Sequence, residues 1–233
     1  MRLSVVSTYY GAPEHVVRKH VELCVANTVK PFEVIIVNDG FKTDLTRLLT
    51  ELSVLVDIVY ADILVDIPWN VSGATNLGIW LSRGDLISFE ESDHIPEAGY
   101  YKEAVEVIGQ GFDRFFAKYV TMDFHPLANY VARRDIMADC GGLDEDFAGH
   151  YGNDDSCMED RVFRRYKTFK SDKRLITVNV DGMTVGISKD TAFNANLLKN
   201  KKISESNKQS ILRFPFTVKR FSAGQIFKQG GTK

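Results

Sequence analysis

Residues 33–40 read EVIIVNDG: an unbroken apolar run, Val34–Val37, that stops at Asn38-Asp39-Gly40. A short apolar run bounded by turn residues is the pattern of a strand buried on both faces. The segment before it, LSVVST (3–8), has the same character, and Gly11-Ala12-Pro13 follows. Between the two runs Val16, Val17, His20, Val21, Cys24 and Val25 recur at helical spacing through Ala26. Downstream, Leu45, Leu48, Leu49 and Leu52 mark one face of a short helix, and VLVDIVY (54–60) reads as a third strand. SGATNLGIWLSRG (72–84) reads as a helix closed by Gly84, and DLISF (85–89) as a fourth strand. Strand and helix therefore alternate through the first 90 residues. That alternation predicts an α/β fold with a mostly parallel central sheet and helices on both faces.

In such sheets ligands bind beyond the carboxyl ends of the strands. The expected rim then carries Thr8–Tyr10, Asn38–Gly40 and Glu90–His94. After residue 97 the alternation loosens. FFAKYVTM (115–122) and NYVAR (129–133) read as strands of a mixed region, DIMADCGG (135–142) as a short helix, and EDRVFRRYKTF (159–169) as a longer one. The expected division is a domain over 1–187 in two halves, 1–96 and 97–187. A basic C-terminal extension follows at 188–233.

The chain has 233 residues, 44% hydrophobic and 26% charged, enough to bury a sizeable core. No run of 18 apolar residues occurs, which argues against a membrane span, and MRLSVVSTYY lacks the long apolar region of a signal peptide. Cys24, Cys140 and Cys157 are odd in number and have no metal spacing among themselves, which suggests reduced thiols in a cytoplasmic protein. The net charge of −2 hides a split. Residues 164–233 hold 16 Lys or Arg against 4 acids, a net of +12, and leave −14 on residues 1–163. An acidic body suits a cation, and a basic tail suits an anionic partner.

Three acidic stretches fall where the chemistry is expected. In FEESDHIP (89–96), Glu91 and Asp93 stand two apart, so an extended chain turns both to one face. Such a pair can hold a divalent cation against diphosphate oxygens, although a solvated turn after a buried strand accounts for it too. Asp39 at its strand end suits a ribose or base, and Asn-Asp-Gly is also an ordinary turn sequence. A nicotinamide site would need a G-x-G-x-x-G after the first strand, and STYYGAPEH (7–15) has one glycine. The third stretch, GHYGNDDSCMEDR (149–161), follows GGLDEDF (141–147). Asp144–Asp160 contains seven carboxylates and no Lys or Arg. An EF-hand is excluded by Ala148 and by Asp155 where a bidentate Glu belongs. A helix N-terminus accounts for Glu159 and Asp160. It does not account for Asp154-Asp155 beside Gly152, where a bend would push two carboxylates into a pocket.

Taken in order, these stretches resemble the GT-A glycosyltransferases of the family 2 type, over about residues 3–165, with an acidic segment similar to galactosyltransferase-type C-terminal segments. The resemblance rests on STYYGAPEH, VNDG (37–40), Asn76-Leu77-Gly78, ESDHIP (91–96) and, most specifically, GGLDEDFAGHYGNDD with Arg161 six residues beyond Asp155. Three positions depart from the pattern. Glu91 replaces the first Asp of the Asp-x-Asp motif, Asn38 replaces the first Asp of the second-strand turn, and Asp154 stands where Glu is usual. No His follows the acidic block, although many relatives supply a metal-binding His there.

The resemblance implies transfer of a sugar from a nucleotide-diphosphate sugar, with a UDP-sugar as donor, to an acceptor hydroxyl. It implies nucleotide-sugar contacts from Thr8, Tyr10, Asn38, Asp39, Asn76, Glu91, Ser92 and Asp93. A divalent cation, Mn²⁺ or Mg²⁺, would sit on Asp93 and Glu91. Asp155 would be the base of an inverting reaction, and Asp154, Gly152 and Tyr151 would hold the acceptor. Trp69 suits a sugar face or core packing. In the tail ILRFPFTVKRFSAGQIFKQGGTK (211–233), Phe alternates with Lys and Arg. That suits an anionic membrane surface with a lipid-linked glycan acceptor, a nucleic acid, or a strand or helix docked on the body. A peripheral membrane location follows from the first of these. Two other classes remain open: a nucleotidyltransferase, and a non-catalytic carbohydrate- or nucleic-acid-binding protein on a transferase fold.

Overall fold

A computed structural model describes residues 1–92, 94–119, 125, 129–149, 151–161, 163–177 and 214–223. Its first half runs β1 (Leu3–Tyr9), α1 (Glu14–Ala26), β2 (Glu33–Asn38), α2 (Thr46–Leu52), β3 (Asp57–Ile63), α3 (Val71–Leu81) and β4 (Leu86–Glu91). The second half adds β5 (His94–Pro96), α4 (Tyr100–Gly109), β6 (Arg114–Tyr119), β7 (Tyr130–Arg133), α5 (Arg134–Asp139), α6 (Asp154–Arg161), β8 (Thr168–Thr177) and β9 (Phe216–Phe221). Short 3-10 turns at Glu145–Phe147 and Phe163–Arg165 flank α6.

The described strands form one sheet in the order β5-β8-β6-β7-β4-β1-β2-β3-β9. β4, β1, β2 and β3 are mutually parallel, as the alternating pattern predicts. Beyond them the order is mixed: β7 is antiparallel to β4, β6 to β7 and β5 to β8, while β6 and β8 run parallel. The run of consecutive parallel strands is thus confined to the first half, where a helix carries the chain back between each pair of neighbours; the parallel β6–β8 pair stands alone among antiparallel ones.

Alternate side chains of each strand feed two apolar layers. Val5, Val34 and Ile36 pack with α1, α2 and α4; Val6, Ile35 and Val37 pack with α3, α5 and Met158 of α6. α3 is buried along nearly its whole length, Trp80 excepted, and a Cβ at Gly78 would lie 2.2 Å from Val6 Cγ1. The glycine lets this helix lie directly on the central strand.

Several boundaries differ from expectation. β3 begins at Asp57, since residues 53–56 turn off the end of α2 and leave Val54 exposed. α3 ends at Leu81, with Ser82 Oγ donating to the Ile79 carbonyl. Gly84 does not close that helix; it passes the first strand, where a Cβ would meet Ser4 N at 2.7 Å. The helix expected from Glu159 starts earlier, at Asp154, and gives way to a 3-10 turn and then to β8.

The tail is the largest revision. Residues 216–221 form an edge strand antiparallel to β3, with Ile58 opposite Phe221 and Ile63 opposite Phe216. Phe216 meets Trp80 edge-on at 6.0 Å, and Phe214 packs on the α3 layer. Of the three readings of the tail, the docked strand holds for this stretch, and it docks on the sheet edge rather than on the acidic residues. Residues 188–213 and 224–233 lie outside the described residues. No helix among the described residues is long and apolar enough to cross a membrane.

Candidate active site

β1 is the point from which β2 and β3 extend to one side and β4 to the other. Such a reversal leaves a crevice at the carboxyl ends of the strands. A cavity of about 180 Å³ opens there. Thr8 at the end of β1 and Phe89, Glu90 and Glu91 at the end of β4 line it, and the Glu90 side chain turns away toward α1. Tyr151, Gly152, Asp154, Asp155 and Met158 supply an acidic wall, and Trp69, Val71, Thr75, Tyr130 and Leu143 complete the lining. Two stretches more than 60 residues apart thus bring their carboxylates to one space.

The acidic wall is built by a chain reversal. Gly149 and Gly152 have φ of 95° and 85°, and Asn153 takes the left-handed conformation at 68°. Glycine adopts such angles without strain. Helix α6 then starts at Asp154, so Asp154 and Asp155 occupy its first turn, where the helix dipole favours a carboxylate. This is the bend the sequence suggested, and both side chains line the cavity. The dipole account assigned to Glu159 belongs to this pair instead.

Two anchors hold the wall. The Asn76 amide of α3 donates to the Leu143 carbonyl at 2.9 Å and to the Glu145 carboxylate at 2.8 Å, and its oxygen accepts from Leu143 N at 2.7 Å. Gly142 presses on the same amide: a Cβ there would come within 2.1 Å of Asn76 Oδ1, and its φ is 70°. The second anchor joins Glu159 of α6 to Arg114 of β6 through paired bonds of 2.7 and 3.1 Å. The Arg114 guanidinium is buried and lies 4.0 Å over the Phe116 ring. Glu159 is therefore a partly exposed clamp on a buried arginine rather than a helix-start charge.

Burial and mutual repulsion shape the acids. Asp154 is pushed up to about 6, first by burial and then by the Asp155 charge. The Ser72 hydroxyl reaches its Oδ2 at 3.4 Å. Asp155 is also raised, chiefly by burial, while bonds from Ser156 oppose the shift and the Glu91 charge adds to it. The Glu91 carboxylate accepts from Asn129 Nδ2 at 2.9 Å and stands 3.3 Å from His94 Nδ1. Among the described lining residues there is no Lys or Arg. Oxygen and imidazole donors around an excess of negative charge suit a hard divalent cation.

The other expected contacts lie at varying depth. Tyr10 donates to Asp66 at 3.1 Å and packs edge-on to Phe41. Ser92 is partly buried beside Glu91. Asp39 is buried and accepts from both the backbone and the amide of Asn70, just before α3. Burial pushes its carboxyl up to about 7. Asn38 and Asn76 are interior: Asn38 donates to the Phe41 carbonyl and to Asp62, and Asn76 holds the acidic wall. Neither amide faces the cleft. Asp93 lies outside the described residues.

Sequence reading missed Tyr130, Leu143, Met158 and Asn129. The first three carry only a core pattern, and Asn129 has no motif signal for its contact with Glu91. Trp69 had a signal. Its φ is 53°, its indole packs 4.5 Å from the Tyr151 ring, and it forms part of the cavity wall.

A crevice at the strand switch point, lined by an acidic strand end and an acidic segment, fits the GT-A glycosyltransferase class of fold. The model of the glycosyl transferase family 2 matches residues 4–167, and the chain belongs to that family. The fold is shared with solved structures of low identity. Staphylococcus aureus TarS 1-349 in complex with UDP-GlcNAc has a TM-score of 0.72 at 12% identity, covering 89% of this chain and 68% of that one. Mannosyltransferase PcManGT from Pyrobaculum calidifontis, in complex with GDP-Man and Mn²⁺, has a TM-score of 0.62 at 15% identity, covering 78% and 58%. In another TarS 1-349 structure the chain spans 58% of its counterpart's length. No curated protein sequence matches the chain.

Proposed function

We propose that the protein transfers a sugar from a nucleotide-diphosphate sugar to an acceptor hydroxyl with inversion, using Asp155 as general base. One observation carries this reading: the β1 and β4 strand ends and the Asp154–Asp155 pair line the same cavity. The donor would enter over Thr8 and Tyr10, with Asp39 held near the nucleotide by Asn70. The acceptor would rest on Tyr151, Gly152 and Asp154. Its hydroxyl oxygen attacks the anomeric carbon as the bond to the diphosphate oxygen breaks, and the hydroxyl proton passes to Asp155. Burial raises the Asp155 carboxyl above its ordinary value, and a carboxylate with a raised pKa is a stronger base than an exposed one. Asp154, next to it, orients the acceptor and keeps the local field negative.

Asp93 and Glu91, two apart in the sequence, would hold Mn²⁺ or Mg²⁺, with His94 Nδ1 3.3 Å from the Glu91 carboxylate. Bound there, the cation supplies the positive charge that stabilises the departing diphosphate. PcManGT contains Mn²⁺, and TarS and PcManGT contain a UDP-sugar and a GDP-sugar respectively, which makes UDP-GlcNAc and GDP-Man the first donors to try. The assignment of the base to Asp155 follows the sequence resemblance of GGLDEDFAGHYGNDD to galactosyltransferase-type segments.

The test is release of nucleotide diphosphate from a panel of UDP-, GDP- and dTDP-sugars with Mn²⁺, Mg²⁺ or EDTA. We expect cation-dependent release from one donor, reduced in Asp155→Asn and in Glu91→Gln. Failure to bind or turn over any donor would sink the proposal.

A further inference from the structure

Directly across β4 from the cleft, three buried side chains converge. His20 and Cys24 stand one turn apart on the inner face of α1, and Glu90 points at them from the strand. All three are at most 2% exposed. Cys24 Sγ lies 3.7 Å from His20 Nε2 and 3.4 Å from Glu90 Oε2, and Nε2 lies 3.7 Å from Oε2. A tetrahedral zinc site with ordinary Zn–S, Zn–N and Zn–O bonds has ligand-to-ligand edges of about 3.3–3.6 Å. The triangle is close to one face of that tetrahedron.

We infer that His20, Cys24 and Glu90 supply three ligands of a buried site for a thiophilic divalent cation, Zn²⁺ in the first instance, on the other face of β4 from the cleft.

The surroundings support the assignment. Glu90 uses its two oxygens differently. Oε1 accepts from the Ser88 hydroxyl at 2.6 Å and from the Tyr101 hydroxyl at 2.7 Å, which fixes the carboxylate plane. Oε2 is thereby turned toward the sulfur and the imidazole. Outer hydrogen bonds of this kind orient metal-ligating carboxylates and are part of such sites. Helical i, i+4 spacing pre-places His20 and Cys24 on one side. Charge also balances: a thiolate, a carboxylate and a neutral imidazole around Zn²⁺ sum to zero, which lowers the cost of burying each charge. Binding releases the Cys24 thiol proton to solvent, and a carboxyl proton if Glu90 carries one; no redox change is involved. The donor set separates this site from the cleft. Sulfur and imidazole select zinc or cobalt, whereas the oxygen-rich cleft selects Mg²⁺ or Mn²⁺.

The experiment uses the full chain, expressed once with added Zn²⁺ and once in cobalt-supplemented minimal medium. Both preparations are treated briefly with EDTA to strip cleft cations before desalting. We expect about one zinc per chain by mass spectrometry of the metals. The cobalt form should show a thiolate-to-cobalt charge-transfer band in the near ultraviolet and tetrahedral d–d bands in the visible. Cys24→Ala should abolish the charge-transfer band, and Cys140→Ala with Cys157→Ala should leave it intact. Wild-type protein with neither bound zinc nor that band would overturn the inference, as would a band that survives Cys24→Ala. If Cys24→Ala does not fold, His20→Gln replaces it, with a weakened or shifted d–d spectrum expected and an unchanged one overturning the site. These readouts do not use sugar transfer, so they stand or fall apart from the proposed activity.

Discussion

Glu90 and Glu91 are neighbours on β4 and face opposite sides of the sheet. Glu90 is buried among Ser88, Tyr101, Cys24 and His20 on the α1 side. Glu91 is open to the cleft, with 43% of its side chain exposed. The same chemical group, one residue apart, is a fixed interior element in one case and a cleft-facing carboxylate in the other. The difference teaches that the two faces of this sheet carry separate tasks. The α1, α2 and α4 side is closed, and the α3 and α6 side gives up part of its apolar layer to a cavity. Variants on the cleft wall should therefore alter turnover, and variants in its anchors should alter stability.

The sharpest test of that division is Asp155→Asn. Loss of a positioned base should cut nucleotide-sugar turnover by about 10²- to 10⁴-fold. The thermal midpoint should hold or rise, because a carboxylate raised by burial is gone. A variant that keeps its rate would break the assignment of the base. Next comes Glu159→Ala, which strands the buried Arg114 guanidinium. Breaking a buried pair costs about 3 kcal/mol at the low end of its usual range, and Glu159 is partly exposed. Urea unfolding would show the loss; an unchanged midpoint would mean the clamp is idle.

Asn76→Ala should cost about 2 kcal/mol by leaving the buried N–H and C=O of Leu143 without their partner. It should lower turnover as well, since the acidic wall is then loosely held. Asn76→Asp, which keeps the acceptor for Leu143 N but adds a charge beside Glu145, separates packing from hydrogen bonding in the same assay.

The smallest effect at any single step is a pH slope, read one pH unit at a time. Burial lifts Asp39 from 3.8 to about 7, so between those values the folded chain holds a proton the unfolded chain has lost. Its contribution is fully present below pH 3.8 and is lost as the pH rises through about 7. Stability should fall with rising pH across that window by at most about 1.4 kcal/mol per unit. Asp39→Asn should flatten that slope in denaturant titrations at a series of pH values. An equal slope in both proteins would remove Asp39 as its source.

Much of this was legible in the residues. Val34–Val37 and the runs like it mark strands buried on both faces, and the Val16–Val25 spacing marks α1. Both depend only on neighbours along the chain. The cavity wall at Gly152–Asp155 was legible too, because glycines beside paired acids have few other uses. Asn76 and Gly78 were legible as a pattern but not in their roles, since the contacts that define them come from Leu143, Glu145 and Val6. β9 escaped because a strand paired along one edge, with its polar residues exposed, leaves little apolar periodicity. The cysteines show the limit most clearly. Cys24 has no metal spacing to another cysteine, yet it meets Glu90 across 66 positions.

By itself, then, the sequence determined the alternation of strand and helix, the rim at the strand ends and the identity of the acids that would work there. Each depends on local periodicity and turn chemistry, which neighbouring residues carry between them. Only the tertiary structure decided which carboxylates share a space, which are clamped in the interior and which residue of the pair Glu90 and Glu91 faces the cleft. Those outcomes depend on strand register and helix docking, where one residue of slip turns a side chain to the other face of the sheet.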